Sequence, residues 1–164
     1  MPYRWLLFDW GDTLMSEDGP ADRPMALWPE VRAIDGARDV LAQLAARHRI
    51  AVATNASASD RAMITRALAR AGLDGFVAEV LCYRELGVKK AEPAFWEAVL
   101  ARLGVARDEI LMIGDDLAQD VLAPRRAGIA AVWFNWKKAP VPVDADLAVI
   151  ERLAELPALI AARR

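Results

Sequence analysis

The sequence holds a single cysteine, Cys82, and a single histidine, His48. That scarcity excludes a disulfide within the chain, zinc sites built from cysteine and histidine, and Cys–His dyads. Any catalysis has to run on carboxylates, lysine and hydroxyls. Long hydrophobic runs are lacking too, because charges interrupt every apolar stretch well before the ~20 residues that would span a membrane. The opening MPYRWLLFDWGD has acidic residues where a secretory signal needs small cleavage-site residues, so it reads as a first strand and the protein as cytoplasmic. Nor does either sign of charge dominate: 21 basic against 23 acidic residues leave −2, too balanced for a nucleic-acid partner.

What remains is a globular composition, 55% hydrophobic and 27% charged over 164 residues, enough for one domain with its own core. One domain is expected over residues 1–164, with a short insert at about 15–35. Short apolar runs alternate with amphipathic segments, the pattern of βαβ units feeding a parallel sheet. The expected class is α/β, a Rossmann-like three-layer sandwich around a central parallel sheet. The expected strands are Trp5 to Asp9, Ile50 to Thr54, Phe76 to Cys82, Ile110 to Gly114 and Ala130 to Phe134, each read as a buried central strand, with a weaker one at Leu147 to Ile150. Ala37 to Arg47 and Arg61 to Ala71 carry apolar residues at helical spacing. Ser57 with Asp60 resembles a capping box, Pro93 suits a first helical turn, Gly72 and Gly104 suit helix ends, and Pro124 lies near the start of a helix. Ser16 to Pro24 and Lys137 to Asp144 read as loops.

Ligands of an open parallel sheet bind at the carboxyl ends of its strands. Those ends carry Asp9, then Thr54, then Lys89 and Lys90, then Asp115 and Asp120, which together are the parts for phosphoryl transfer through an aspartyl-phosphate. A carboxylate and a phosphate dianion repel each other, so a divalent cation is needed between them. Mg²⁺ takes hard oxygens, which Asp9, Asp115 and Asp120 can supply. A hydroxyl and backbone N–H groups at Thr54 and Asn55 suit phosphate oxygens, and a lysine neutralises shared charge. Lys89 and Asp116 read as solvated neighbours. Cys82 reads as a small buried residue and His48 as a helix-end residue. Trp5, Trp96 and Trp133 fit the core, Trp136 lies in or near a loop, and Trp10 and Trp28 are placed where they could line a substrate entrance.

FDWGDTL (Phe8 to Leu14), AVATNAS (Ala51 to Ser57), GVKKAEPAFW (Gly87 to Trp96) and ILMIGDDLAQDVLAPRRAGI (Ile110 to Ile129) resemble, in order and wording, the four motifs of haloacid-dehalogenase-like hydrolases. ADLAVIERLAEL near the end is similar to that family's usual last segment. The resemblance implies Asp9 as nucleophile, Thr54 with Asn55 as phosphate-binding residues, Lys90 as the charge-neutralising lysine, Asp115 with Asp120 as the Mg²⁺ acids, and the Gly11 carbonyl as a further ligand. It implies a small phosphorylated or halogenated substrate, with a larger one open, and a monomer or homodimer.

Two departures accompany it. Phosphatases of that family have a second Asp two residues after the nucleophile, as general acid and base, where this chain has Gly11 and then Asp12. Either Asp12 substitutes, or the function is lost, or the chemistry does without it, as in members that cleave carbon–halogen or carbon–phosphorus bonds. A degenerate member that binds a phosphate compound or a protein without turnover is the third reading. Second, only about 40 residues separate Thr13 from Thr54, too few for a large cap domain.

Overall fold

The computed structural model describes residues 3–143 and 146–163. Strands β1 (Trp5–Phe8), β2 (Arg49–Thr54), β3 (Glu79–Cys82), β4 (Ile110–Gly114), β5 (Ala130–Phe134) and β6 (Ala148–Ile150) form one six-stranded sheet in the order β3-β2-β1-β4-β5-β6. Every pairing is parallel. Helices are α1 (Ala37–Ala45), α2 (Arg61–Arg70), α3 (Tyr83–Leu86), α4 (Pro93–Leu103), α5 (Ala123–Arg126) and α6 (Leu156–Ala162), with a π-helical segment Leu117–Leu122 running into α5.

Successive residues of a strand face opposite sides, and β1 uses both. Leu6 and Phe8 pack with α1, α2 and α6 on one face; Trp5 and Leu7 pack with α4 and the Leu117–Arg126 helix on the other. A strand buried on both faces reads as a continuous apolar run, which is what WLLF is. Residues 14–36 carry one 3₁₀ turn, Met25–Leu27, and bury Met25, Ala26 and Trp28 against the first core. Among the described residues there is no inserted domain between β1 and β2.

Three local expectations need correction. The strand expected from Phe76 begins only at Glu79: Asp74–Phe76 is a 3₁₀ turn in which Phe76 N–H is spent on Leu73 C=O, so it has no donor left for a ladder. β3 and β6 are edge strands, not central ones. The cap of α2 is Asp60, whose carboxylate accepts Met63 N–H at 2.9 Å, and Ser57 plays no part in it. Pro124 is the second residue of α5, near the start of its helix as expected, and the π-helical segment Leu117–Leu122 runs into it. The preceding turn is π-wide, with Ala123 N–H bonding Ala118 C=O, which suits a proline that has no N–H and crowds the turn before it. The loop expected over Lys137 to Asp144 is seen as far as Val143; Asp144 lies outside the described residues.

Candidate active site

The central pair β1 and β4 is where the winding reverses, so the loops leaving their carboxyl ends part and open a crevice. Asp9 follows β1 and is held by its N–H on Ile113 C=O at 2.9 Å. Asp115 follows β4, and Trp133 Nε1 donates to its carbonyl at 3.0 Å. Asp120 lies one helical turn further and is fully buried. One carboxylate oxygen from each of these three residues lies within 4.8 Å of the others. Gly114 is what allows Asp120 so close: a Cβ there would stand 2.2 Å from Asp120 Oδ2.

Lys90 enters from the far side of α3 and is buried. Its ammonium donates to Asp9 Oδ1 at 2.7 Å, Asp120 Oδ1 at 2.6 Å and the Ala53 carbonyl at 3.1 Å, satisfying its three donors. Asn55 holds the backbone of this lysine, its Oδ1 accepting Lys90 N–H at 2.8 Å while its Nδ2 donates to Gln119 at 3.1 Å. Thr54 lines the hollow, and its hydroxyl accepts Ala56 N–H at 3.1 Å. Asp116 caps the turn, accepting Gln119 N–H at 2.9 Å and donating its own N–H to Asp120 Oδ2 at 3.0 Å.

Sequence reasoning missed two neighbours. Thr13 is fully buried, with its hydroxyl 3.2 Å from both Asp9 Oδ2 and Asp115 Oδ1, and it accepts Asp115 N–H at 3.2 Å. One proton serves only one carboxylate at a time, so Thr13 joins the two acids without neutralising either. Glu17 is exposed as a residue, yet its carboxyl end reaches the same hollow. Nothing in the sequence spacing flags it.

The charges do not balance. Burial and the Asp9 carboxylate push the Asp115 carboxyl well above the usual range. Burial and Asp9 also push Asp120 up, against the pull of Lys90. Burial opposes the charge on Lys90, but Asp9 and Asp120 outweigh it and hold the ammonium's pKa above its ordinary value. For Glu17, burial of the carboxyl end and then Asp12 and Asp9 raise the pKa. Clustered hard oxygens with one cation among them fit a divalent metal such as Mg²⁺.

Asp12 stands apart. Its backbone is left-handed (φ 57°), its carboxylate accepts Glu17 N–H at 3.0 Å, and it lines the neighbouring hollow beside Arg32, Ile34 and Trp136. Lys89 lies over the Tyr83 ring and Cys82 is buried in the core. His48 Nδ1 sits 2.5 Å from the Tyr3 carbonyl oxygen, away from the site. Trp10 and Trp28 do not line the entrance: both are buried, because the loop after β1 folds back on the core and takes them with it.

The sequence model of the haloacid dehalogenase-like hydrolases matches residues 11–128, and the chain belongs to that family. Phosphoserine phosphatase of Thermus thermophilus is 39% identical over 79 residues, 48% of this chain and 32% of that protein. The chain spans only about a third to a half of the length of the curated relatives it matches. Its fold is that of the HAD hydrolase YfnB of Bacillus subtilis, solved with magnesium bound (TM-score 0.81, 18% identity, 98% of this chain and 99% of that one). The 2-haloacid dehalogenase of Pseudomonas syringae superposes with a TM-score of 0.77 at 20% identity, covering 99% of this chain and 100% of that one. Among the described residues no helix is long and apolar enough to cross a membrane.

Proposed function

We propose that this hydrolase is a Mg²⁺-dependent phosphatase that works through an aspartyl-phosphate on Asp9. The observation that carries the reading is the triad Asp9, Asp115 and Asp120, with carboxylate oxygens within 4.8 Å of one another beside the buried Lys90. A carbon–halogen bond needs no such cluster, whereas a phosphate dianion facing a carboxylate does. Relatives named as phosphatases point the same way.

Asp9, Asp115 and the Gly11 carbonyl, with Asp120, would hold the metal. When bound, Mg²⁺ supplies the positive charge that lets nucleophile and phosphate approach. Lys90 fixes one Asp9 oxygen and leaves the other carboxylate oxygen to attack phosphorus. Thr54, together with N–H groups of the loop that follows it, receives the phosphate oxygens, and Asn55 keeps Lys90 and Gln119 in register around them. The hollow, about 360 Å³, accommodates a phosphoryl group and a small leaving group.

Release of phosphate from a panel of phosphate esters, and of halide from 2-haloacids, measured with and without Mg²⁺, tests this reading. Phosphate release that needs Mg²⁺ and disappears in Asp9→Asn is expected. Halide release independent of metal would overturn it.

A further inference from the structure

We infer that Glu17 is the general acid and base of this site, in place of a carboxylate at Gly11; the assignment rests on the phosphatase reading above. Gly11 has no left-handed backbone that would call for glycine, so its lack of a side chain has another cause. A Cβ built on Gly11 would stand 2.0 Å from Glu17 Oε1, 2.4 Å from its carboxyl carbon and 2.8 Å from its Cγ. The Glu17 carboxyl therefore fills the volume that a side chain at position 11 would enter. A side chain at position 11 would have to displace the end of the Glu17 side chain.

Glu17 is held there by its backbone. Its N–H is bonded to Asp12 Oδ1 at 3.0 Å, and its carbonyl accepts Gly19 N–H at 2.9 Å. One residue earlier, Ser16 N–H is bonded to Arg32 C=O at 2.8 Å, and Met15 pairs with Ala33. This gives Asp12 a role other than acid or base: its left-handed turn and its carboxylate aim the chain that carries Glu17, so it is a positioning residue. The Glu17 carboxyl shares the hollow with Asp9, Gly11 and Thr54.

The chemistry balances. In the first step an Asp9 oxygen bonds to phosphorus, the ester P–O bond breaks, and the leaving oxygen takes the proton of the Glu17 carboxyl, releasing an alcohol. In the second, water bonds to phosphorus and gives a proton to Glu17, the bond between phosphorus and Asp9 breaks, and phosphate leaves. Asp9 and Glu17 return to their starting states.

Two measurements test the assignment. The first needs neither metal nor substrate: thermal melts of wild type, Gly11→Ala, Glu17→Ala and the double variant. Gly11→Ala is expected to lower the melting midpoint in the wild-type background and to cost much less where Glu17 has been truncated. An equal cost in both backgrounds would show that the Glu17 carboxyl is not held where the assignment needs it. The second is kinetic, on an alkyl and a nitrophenyl phosphate. Glu17→Gln should lose about 10²–10⁴ in kcat on the alkyl ester, while covalent phosphate accumulates on Asp9 with the nitrophenyl ester, whose leaving group needs no proton. Gly11→Asp in the Glu17→Ala background should restore part of the alkyl activity. Loss of activity in Asp9→Asn with none in Glu17→Gln overturns the assignment and leaves the nucleophile standing; retained turnover in Asp9→Asn overturns both.

Discussion

At the scale of single residues, the site depends as much on missing side chains as on those present. Asp120 has its Cβ and carboxyl within 2.5 Å of where a Cβ at Gly114 would lie, and that carboxyl is pinned by Lys90 and by Asp116 N–H. A short side chain tied at both oxygens cannot swing aside. Gly114→Ala should therefore push Asp120 off Lys90 and cost about 1–3 kcal/mol of stability, the usual penalty for overpacking a tight interior. Urea denaturation would show the loss, and isothermal titration with Mg²⁺ a weakened affinity. A variant as stable as wild type, with the same affinity, would mean that the turn relaxes freely. The sequence motif contains this glycine but does not say which atom needs the room.

Among the elements, β2, β4, β5 and the strand ends that carry the candidate site were legible because parallel strands buried on both faces write themselves as apolar runs. Edges and turns were less so, since β3 starts where a local 3₁₀ turn stops and that depends on where Phe76 sends its N–H. Asp9, Lys90, Asp115 and Asp120 could be picked out by their places after strands. Thr13 and Glu17 could not, because their positions follow from how the loop after β1 folds back. β3 leads into α3 and on to Lys90, and Arg61 at the start of α2 braces it: its guanidinium pairs with Glu79 on β3 and makes two bonds, 2.7 and 2.8 Å, to Glu85 on α3. Arg61 holds the Glu85 carboxyl below the usual range; for Glu79 burial pulls upward, but the bonds from Arg61 win. Depressed carboxylate values stabilise the fold above the unfolded range near 4.3 and lose that contribution as pH falls through the folded values. With the side chains of Arg61 and Glu85 34% and 37% exposed, solvent screening limits the pairing to roughly 0.5–1 kcal/mol. Arg61→Met should lower stability by that amount at pH 7, and denaturant titrations at successively lower pH should find the difference shrinking as the two carboxylates take up protons.

Across the whole molecule, the same carboxylates that suit a divalent cation weaken the fold without one. Asp115 and Asp120 hold protons to higher pH than they would in an unfolded chain. The folded state then binds more protons than the unfolded state, so the stability of the metal-free protein falls as pH rises from the ordinary carboxylate range near 4 toward about 8, where Asp115 titrates. Cation binding to the folded state alone reverses the trend, adding about 2.7 kcal/mol when the free ion is at a hundred times its Kd. Asp115→Asn separates the two effects, because it removes a negative charge from beside Asp9 and a ligand at the same time. At pH 8 without metal the variant should melt higher than wild type, and added Mg²⁺ should raise the wild-type midpoint while leaving the variant's nearly unmoved. Melts at pH 5 and pH 8, each with EDTA or with Mg²⁺, give the full comparison. At pH 5 the metal-free difference should shrink, since Asp115 is then protonated in the wild type as well. A variant that melts lower than wild type at pH 8 without metal would show that Asp115 serves the fold through its bonds to Thr13 more than it strains it through repulsion.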